Sequence, residues 1–212
     1  VTVSGAVPNP PLQLGAEAQQ WLKESGIEIS GKTVTTSQLE LEGNQVPGTP
    51  KNVIFTYQSP ALDKIVYWFL RKSVNLYGET LIKTLGKEKK GNSSFKSGVA
   101  YLKEFWKSKG INPNMINFAD GSGLSPQNYV AAKAEVQALL YAKKQPWFDA
   151  YYDGFPVQDN GMKIKSGTMR DTKSFAGYHT AKDGKKYVFS IIINNYQGSG
   201  STELQKILNV LK

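Results

Sequence analysis

Lys165-Ser166-Gly167-Thr168 places a lysine, two hydroxyls and a glycine in a row, after the alternating run Met162-Lys163-Ile164 and before a hairpin-like sequence that continues to Tyr196. Taken alone, these residues are equally a lysine at a turn. Two other stretches carry comparable groups. Ser73-Val74-Asn75 sits where one helical pattern stalls and another begins, and there serine and asparagine can simply cap helices by bonding nearby backbone groups. Asp120-Gly121-Ser122-Gly123-Leu124-Ser125 reads as a tight turn whose glycines permit positive φ or close backbone approach. The absence of cysteine excludes disulfides, thiolate metal sites and cysteine nucleophiles. A lone histidine, His179, argues against a Ser-His-Asp triad or a multi-histidine metal site. Nucleophilic chemistry would therefore fall to serine with lysine as its base. The literal S-x-x-K is Ser93-Ser94-Phe95-Lys96, whose polar setting at a helix start reads as a cap.

The elements that must position these groups follow from composition and pattern. A chain of 212 residues with 40% hydrophobic residues can bury a core, and no run approaches the roughly 18 apolar residues of a bilayer span. The net charge of +9 would suit a nucleic acid, an anionic envelope polymer or a membrane surface. The lysines look scattered, the run Lys87-Glu88-Lys89-Lys90 reads as a solvated loop, and no aromatic and basic interleaving supports nucleic-acid binding. Residues 1–52 read as a separate unit. Pro8, Pro10 and Pro11 keep its entry extended, Ala16–Glu24 forms a helix stopped by Gly26, and Ile27–Ile29 and Lys32–Glu42 alternate like edge strands. Pro47-Gly48-Thr49-Pro50 reads as a hinge.

Beyond it, Val53–Tyr57 is of strand type, Ser59-Pro60 opens a helix, and a second helix runs from Leu76 to Leu85 before Gly86. Phe95–Lys107 is amphipathic and closed by Gly110, Met115–Phe118 is a short strand, and Ser125-Pro126 opens a helix that continues to Ala142. Three strands then follow, near Ile164–Thr168, Phe175–Thr180 and Tyr187–Asn194, the last two joined through Asp183-Gly184, and Leu204–Leu211 forms a final helix. A helical block, an antiparallel sheet and a C-terminal helix packed on it make an α+β layout.

Taken together and in this order, the three stretches resemble the low-molecular-mass class C penicillin-binding proteins, the D-alanyl-D-alanine carboxypeptidase/endopeptidase family. Ser59-Pro60-Ala61-Leu62 ahead of Ser73-Val74-Asn75-Leu76-Tyr77-Gly78-Glu79 is similar to that family's second-motif helix pair. Ala176-Gly177-Tyr178, Asp183-Gly184-Lys185 and Phe189-Ser190-Ile191 are similar to its last hairpin. The resemblance implies a serine β-lactamase/penicillin-binding transpeptidase-like fold. It also implies that 53–212 is the C-terminal part of the catalytic domain and 1–52 the end of an inserted accessory domain. In the family the S-x-x-K segment lies far upstream, so this sequence resembles a C-terminal half that lacks the nucleophile and is inactive by itself.

What the resemblance implies for mechanism is acyl transfer through a serine ester. Ser73 would relay a proton towards the leaving amine, Asn75 would hold the peptide, and Lys165 would favour an anion. Ser166 would bond the substrate carboxylate, and the N–H of Thr168, after Gly167, would supply half of an oxyanion hole. Asp120 and Ser122 would support the cleft wall beside the substrate. Threonine is commoner in the family at Ser166, and aspartate at Val74. Peptidoglycan stem peptides, β-lactams and the upstream half of the same protein are the implied partners, in the periplasm or another extracytoplasmic compartment. No metal or organic cofactor is implied. The alternative is a penicillin-binding-like module that only docks on peptidoglycan or on a protein.

Overall fold

The structure is a computed structural model and describes residues 7–48, 52, 53 and 55–211. The chain divides into two compact units, residues 1–58 and 59–212. The first holds helix α1 (Pro10–Glu24) and the short helix α2 (Thr36–Leu41). Of the prolines expected to keep the entry extended, Pro8 precedes the helix, but Pro10 and Pro11 start α1. Pro occupies its first turn, where no N–H is needed, and the Asn9 side chain accepts from the N–H of Leu12. The expected edge strands are not formed. Residues 27–35 are irregular, and Thr35 opens α2 with a capping box in which its hydroxyl and the Gln38 side chain each take the other's backbone N–H. Alternation over Lys32–Glu42 has a period of two, but the capping pair makes Thr36–Leu41 a helix. Gln19 ties α1 to this segment, donating to Gly31 O at 3.1 Å and accepting from the Thr33 hydroxyl at 3.0 Å. The expected hinge includes Thr49 and Pro50, which lie outside the described residues.

The expected strand at 53–57 is also absent. Val53 and Phe55–Tyr57 are irregular, Phe55 and Tyr57 are exposed, and Ile54 lies outside the described residues. The second unit continues with α3 (Leu62–Lys72), which starts after Ala61 rather than at Ser59-Pro60, α4 (Asn75–Lys90) and α5 (Phe95–Ser108). Helix α4 does not stop at Gly86. It runs on to Lys90, so Lys87–Lys90 is its last turn and not a loop, and Gly91 ends it at φ 71°. Gly86 and Gly98 let α4 and α5 approach backbone to backbone. A Cβ on Gly98 would stand 2.0 Å from Ile82 O. Two-residue strands β1 (Ile116–Asn117) and β2 (Tyr129–Val130) then pair, and α6 (Ala132–Ala142) begins six residues later than expected from Ser125-Pro126. At the expected opening the chain makes a single turn, the N–H of Asn128 bonding Ser125 O at 3.0 Å, and then enters β2.

After α7 (Phe148–Asp153), strands β3 (Lys163–Met169), β4 (Thr172–Thr180) and β5 (Lys186–Asn194) form an antiparallel sheet in the order β3-β4-β5, with α8 (Gly200–Leu208) following. The α+β layout is as expected. Alternation sorts the sheet's two faces. Ile164, Phe175, Phe189 and Ile191 pack with Met162 and with Leu208 of α8. Ala176, Tyr178 and Val188 face the other way, onto Leu70, Leu139, Phe148 and Phe155. Lys165 pairs with Ala176, and Ala176 with Ser190, so Lys165 belongs to this second face, towards the helices.

Glu135 of α6 reaches the same row, accepting from the Ser190 hydroxyl at 2.5 Å, and burial raises its carboxyl above the usual carboxylate range. It contributes to holding the phenol of Tyr151 up at about 12, after burial itself. A carboxyl whose folded pKa is raised binds more protons folded than unfolded from its ordinary value near 4.5 up to the raised one, so stability falls as pH rises through that window. Glu135→Gln is therefore expected to melt above the parent at neutral pH, with the gap closing below pH 4.5. Thermal unfolding from pH 4 to 8 checks this, and a gap that widens on acidification would refute it.

Candidate active site

Ser73 joins α3 to α4, two residues after Arg71, and its position is fixed from both sides. Arg71 donates to Phe155 O at 3.2 Å, anchoring the end of α3 beside the segment that leads into β3. Ser73 itself takes φ 53°, ψ 48°, the left-handed region that a side-chain-bearing residue enters at a cost of about 1–2 kcal/mol. This turn brings its hydroxyl to 3.0 Å from Nζ of Lys165, ninety-two residues away in sequence. Lys165 also donates to Ser166 O at 3.1 Å, and partial burial pulls its ammonium below the usual lysine range. Ser73→Gly is expected to raise the unfolding free energy by about 1 kcal/mol. Urea unfolding reads this directly; a loss of stability would mean that the hydroxyl bond to Lys165 outweighs the relieved backbone strain.

Asn75 is the first residue of α4 and is exposed. The third expected stretch is fastened to the same helix. Gly78 and Gly121 meet backbone to backbone, a Cβ on Gly121 falling 2.0 Å from Gly78 O. Glu79 accepts from the N–H groups of Gly121 and Ser122, both at 3.2 Å. Asp120 and Ser122 turn inward upon their own loop. The Asp120 carboxylate takes the N–H of Gly123 at 2.7 Å, that of Ser125 at 2.6 Å and the Asn128 amide at 2.9 Å, and the Ser122 hydroxyl accepts from Leu124 at 3.4 Å. Both act on the loop's shape. Glu79, which ties that loop to α4, is the residue that reading the sequence passed over; its spacing four residues after Asn75, on the same helix face, was the available signal.

The free margin of β3 supplies the remaining groups. Ile164 gives its N–H to Pro156 O at 2.9 Å, away from β4. In an antiparallel ladder alternate residues point their backbone groups the same way, so Ser166 and Thr168 turn their N–H groups to that margin as well. Neither has a backbone acceptor there among the described residues. Gly167 between them has the Ser174 hydroxyl 2.7 Å from where a Cβ would stand. The site thus brings together a lysine of lowered basicity, a hydroxyl at its tip and two N–H donors on an open strand edge. Such a set can shuttle a proton between serine and lysine and bind oxygen anions.

The sequence profile of the D-Ala-D-Ala carboxypeptidase 3 (S13) family matches residues 1–212. The chain belongs to this family. It is 24% identical to the D-alanyl-D-alanine carboxypeptidase of Actinomadura sp. (strain R39) over 99% of its own length and 41% of that protein's. It is 25% identical to D-alanyl-D-alanine carboxypeptidase DacB of Haemophilus influenzae over 92% of its length and 42% of the relative's. The chain thus spans less than half of these relatives. Its fold is similar to that of the penicillin binding protein 4 of Haemophilus influenzae, solved with a β-lactam, at a TM-score of 0.78 and 24% identity, covering 99% of this chain and 53% of that one. A class A β-lactamase from Bacteroides cellulosilyticus shares the fold at a TM-score of 0.52 and 19% identity, over 94% of this chain and 78% of that one. The family resemblance and the penicillin-binding fold inferred from the sequence are both borne out. No helix among the described residues is long and apolar enough to cross a membrane.

Proposed function

We propose that this S13-family chain is the C-terminal portion of a serine D-alanyl-D-alanine carboxypeptidase/endopeptidase acting on peptidoglycan stem peptides outside the cytoplasm. Residues 53–212 are assigned to its catalytic domain and residues 1–52 to an inserted accessory domain. The observation that carries the reading is the 3.0 Å contact between Lys165 and Ser73, which brings two of the family-like motifs together. A serine from the rest of the protein attacks the carbonyl between two D-alanines. The C–N bond breaks, the terminal D-alanine leaves as an amine, and water then hydrolyses the serine ester. Ser73 passes the proton to the leaving nitrogen, and the charge of Lys165 favours the carboxylate and the developing oxyanion. Ser166 bonds the substrate's terminal carboxylate, Asn75 holds the peptide, and the Thr168 N–H is one oxyanion donor, which Gly167 leaves uncovered.

Asp120, Ser122 and Glu79 keep the opposite wall in place. β-Lactams, as cyclic amides, would acylate the same serine. Incubating a protein of the relatives' length that contains this chain with fluorescent penicillin tests the reading. A covalently labelled band, competed by a D-Ala-D-Ala peptide, is expected. An unlabelled band that still sediments with peptidoglycan would instead favour a non-catalytic docking module.

A further inference from the structure

The positive charge is unevenly placed. Eight lysines and two glutamates lie between Lys83 and Lys109, which puts six of the chain's nine net positive charges on the later turns of α4 and on α5. Lys83, Lys87 and Lys90 recur at helical spacing along α4, and Lys96, Lys103 and Lys107 along α5, so neighbours three or four apart stand about 5–6 Å from one another. All but Lys103, which donates to Asn117, are exposed. Among the described residues, the one ion pair in this stretch is Lys90 with Glu104 at 2.6 Å. No arginine lies here, so the surface offers mobile point charges rather than forks for a single carboxylate.

We propose that the later turns of α4 together with α5 form a docking surface for a linear polyol phosphate, a polyanion of repeated phosphodiesters without bases. A strand with bases needs open aromatic faces for stacking, and here lysines already sit over the rings: Lys83 lies 4.6 Å from the Phe95 ring centroid, and Lys109 lies 5.3 Å from Phe105 and 5.5 Å from Tyr141. A bilayer would want projecting apolar side chains, and the exposed large one in the stretch is the same Phe95, under Lys83. Asn75 begins α4, and Lys83 to Lys90 follow about 12–22 Å further along its axis. A bound polymer therefore leaves the Ser73–Lys165 cleft open.

The test is titration of the 212-residue chain with poly(glycerol phosphate) at several salt concentrations. One variant carries Lys83→Gln, Lys87→Gln, Lys89→Gln and Lys90→Gln; a control removes equal charge from the β4–β5 hairpin and its turn through Lys173→Gln, Lys182→Gln, Lys185→Gln and Lys186→Gln. The helical variant is expected to bind about tenfold or more weakly with a flatter salt slope, while the control stays within about threefold of the parent. Equal weakening in both variants, or no binding by the parent, overturns the proposal. So does tighter binding of single-stranded DNA or phosphatidylglycerol vesicles that the same four substitutions abolish.

Discussion

Lys165→Ala, placed in a protein of the relatives' length that carries this chain, is expected to slow acylation by fluorescent penicillin about 10³-fold, the range lost with a general acid–base partner or an anion-stabilising group. The size of the effect follows from position. Lys165 is the cation at the Ser73 hydroxyl, and its charge also bears on the β3 margin where Ser166 and Thr168 present their N–H groups. Alanine removes both influences at once. Folding should survive, because partial burial already penalises this ammonium, as its lowered pKa records. The rate constant for label incorporation, measured beside a melting curve, separates chemistry from folding. An unchanged rate in a folded variant would remove Lys165 from the mechanism.

Gly98→Ala should produce the largest loss of stability, about 3 kcal/mol, the upper end of what overpacking a close contact costs. The new Cβ would sit 2.0 Å from Ile82 O and 2.8 Å from the Ile82 carbonyl carbon, and these are backbone atoms that no rotamer change can move. Separating α4 from α5 would also move the helix that begins at Asn75 and holds Gly78 and Glu79 against the loop at Asp120. Urea unfolding of the second unit's signal measures the cost. A variant within about 0.5 kcal/mol of the parent, the range of ordinary surface changes, would show that the helices give way freely at this crossing.

The sheet was legible because its strands alternate and Asp183-Gly184 punctuates them; each observed strand lies within a few residues of its expected bounds. Helix interiors were equally readable, but several of their ends were not. Gly86 reads as a stop, yet it serves a close approach inside α4, a distinction that depends on a partner helix and not on neighbouring residues. Ser125-Pro126 reads as a helix start, but pairing of Tyr129–Val130 with β1 takes the chain into a strand after one turn. The strand-like run at 53–57 finds no partner among the described residues, which pattern alone could not reveal. At the site, Ser73 and Lys165 were found by type and order. Their juxtaposition needed a left-handed turn at Ser73 and the Arg71–Phe155 tie, and neither leaves a mark in composition.

The two margins of the three-stranded sheet differ. Along β3 the open groups are flanked by Ser166 and Thr168, exposed polar side chains that discourage casual pairing. On the far side, β5 has β4 as its one neighbour among the described residues and carries Ile191, Ile192 and Ile193 in succession. A strand with three isoleucines in a row and one side unpaired among the described residues is a template for addition of another strand. In the 212-residue chain taken by itself, that edge is the one open to another strand, at the opposite rim of the sheet from the Ser73–Lys165 pair.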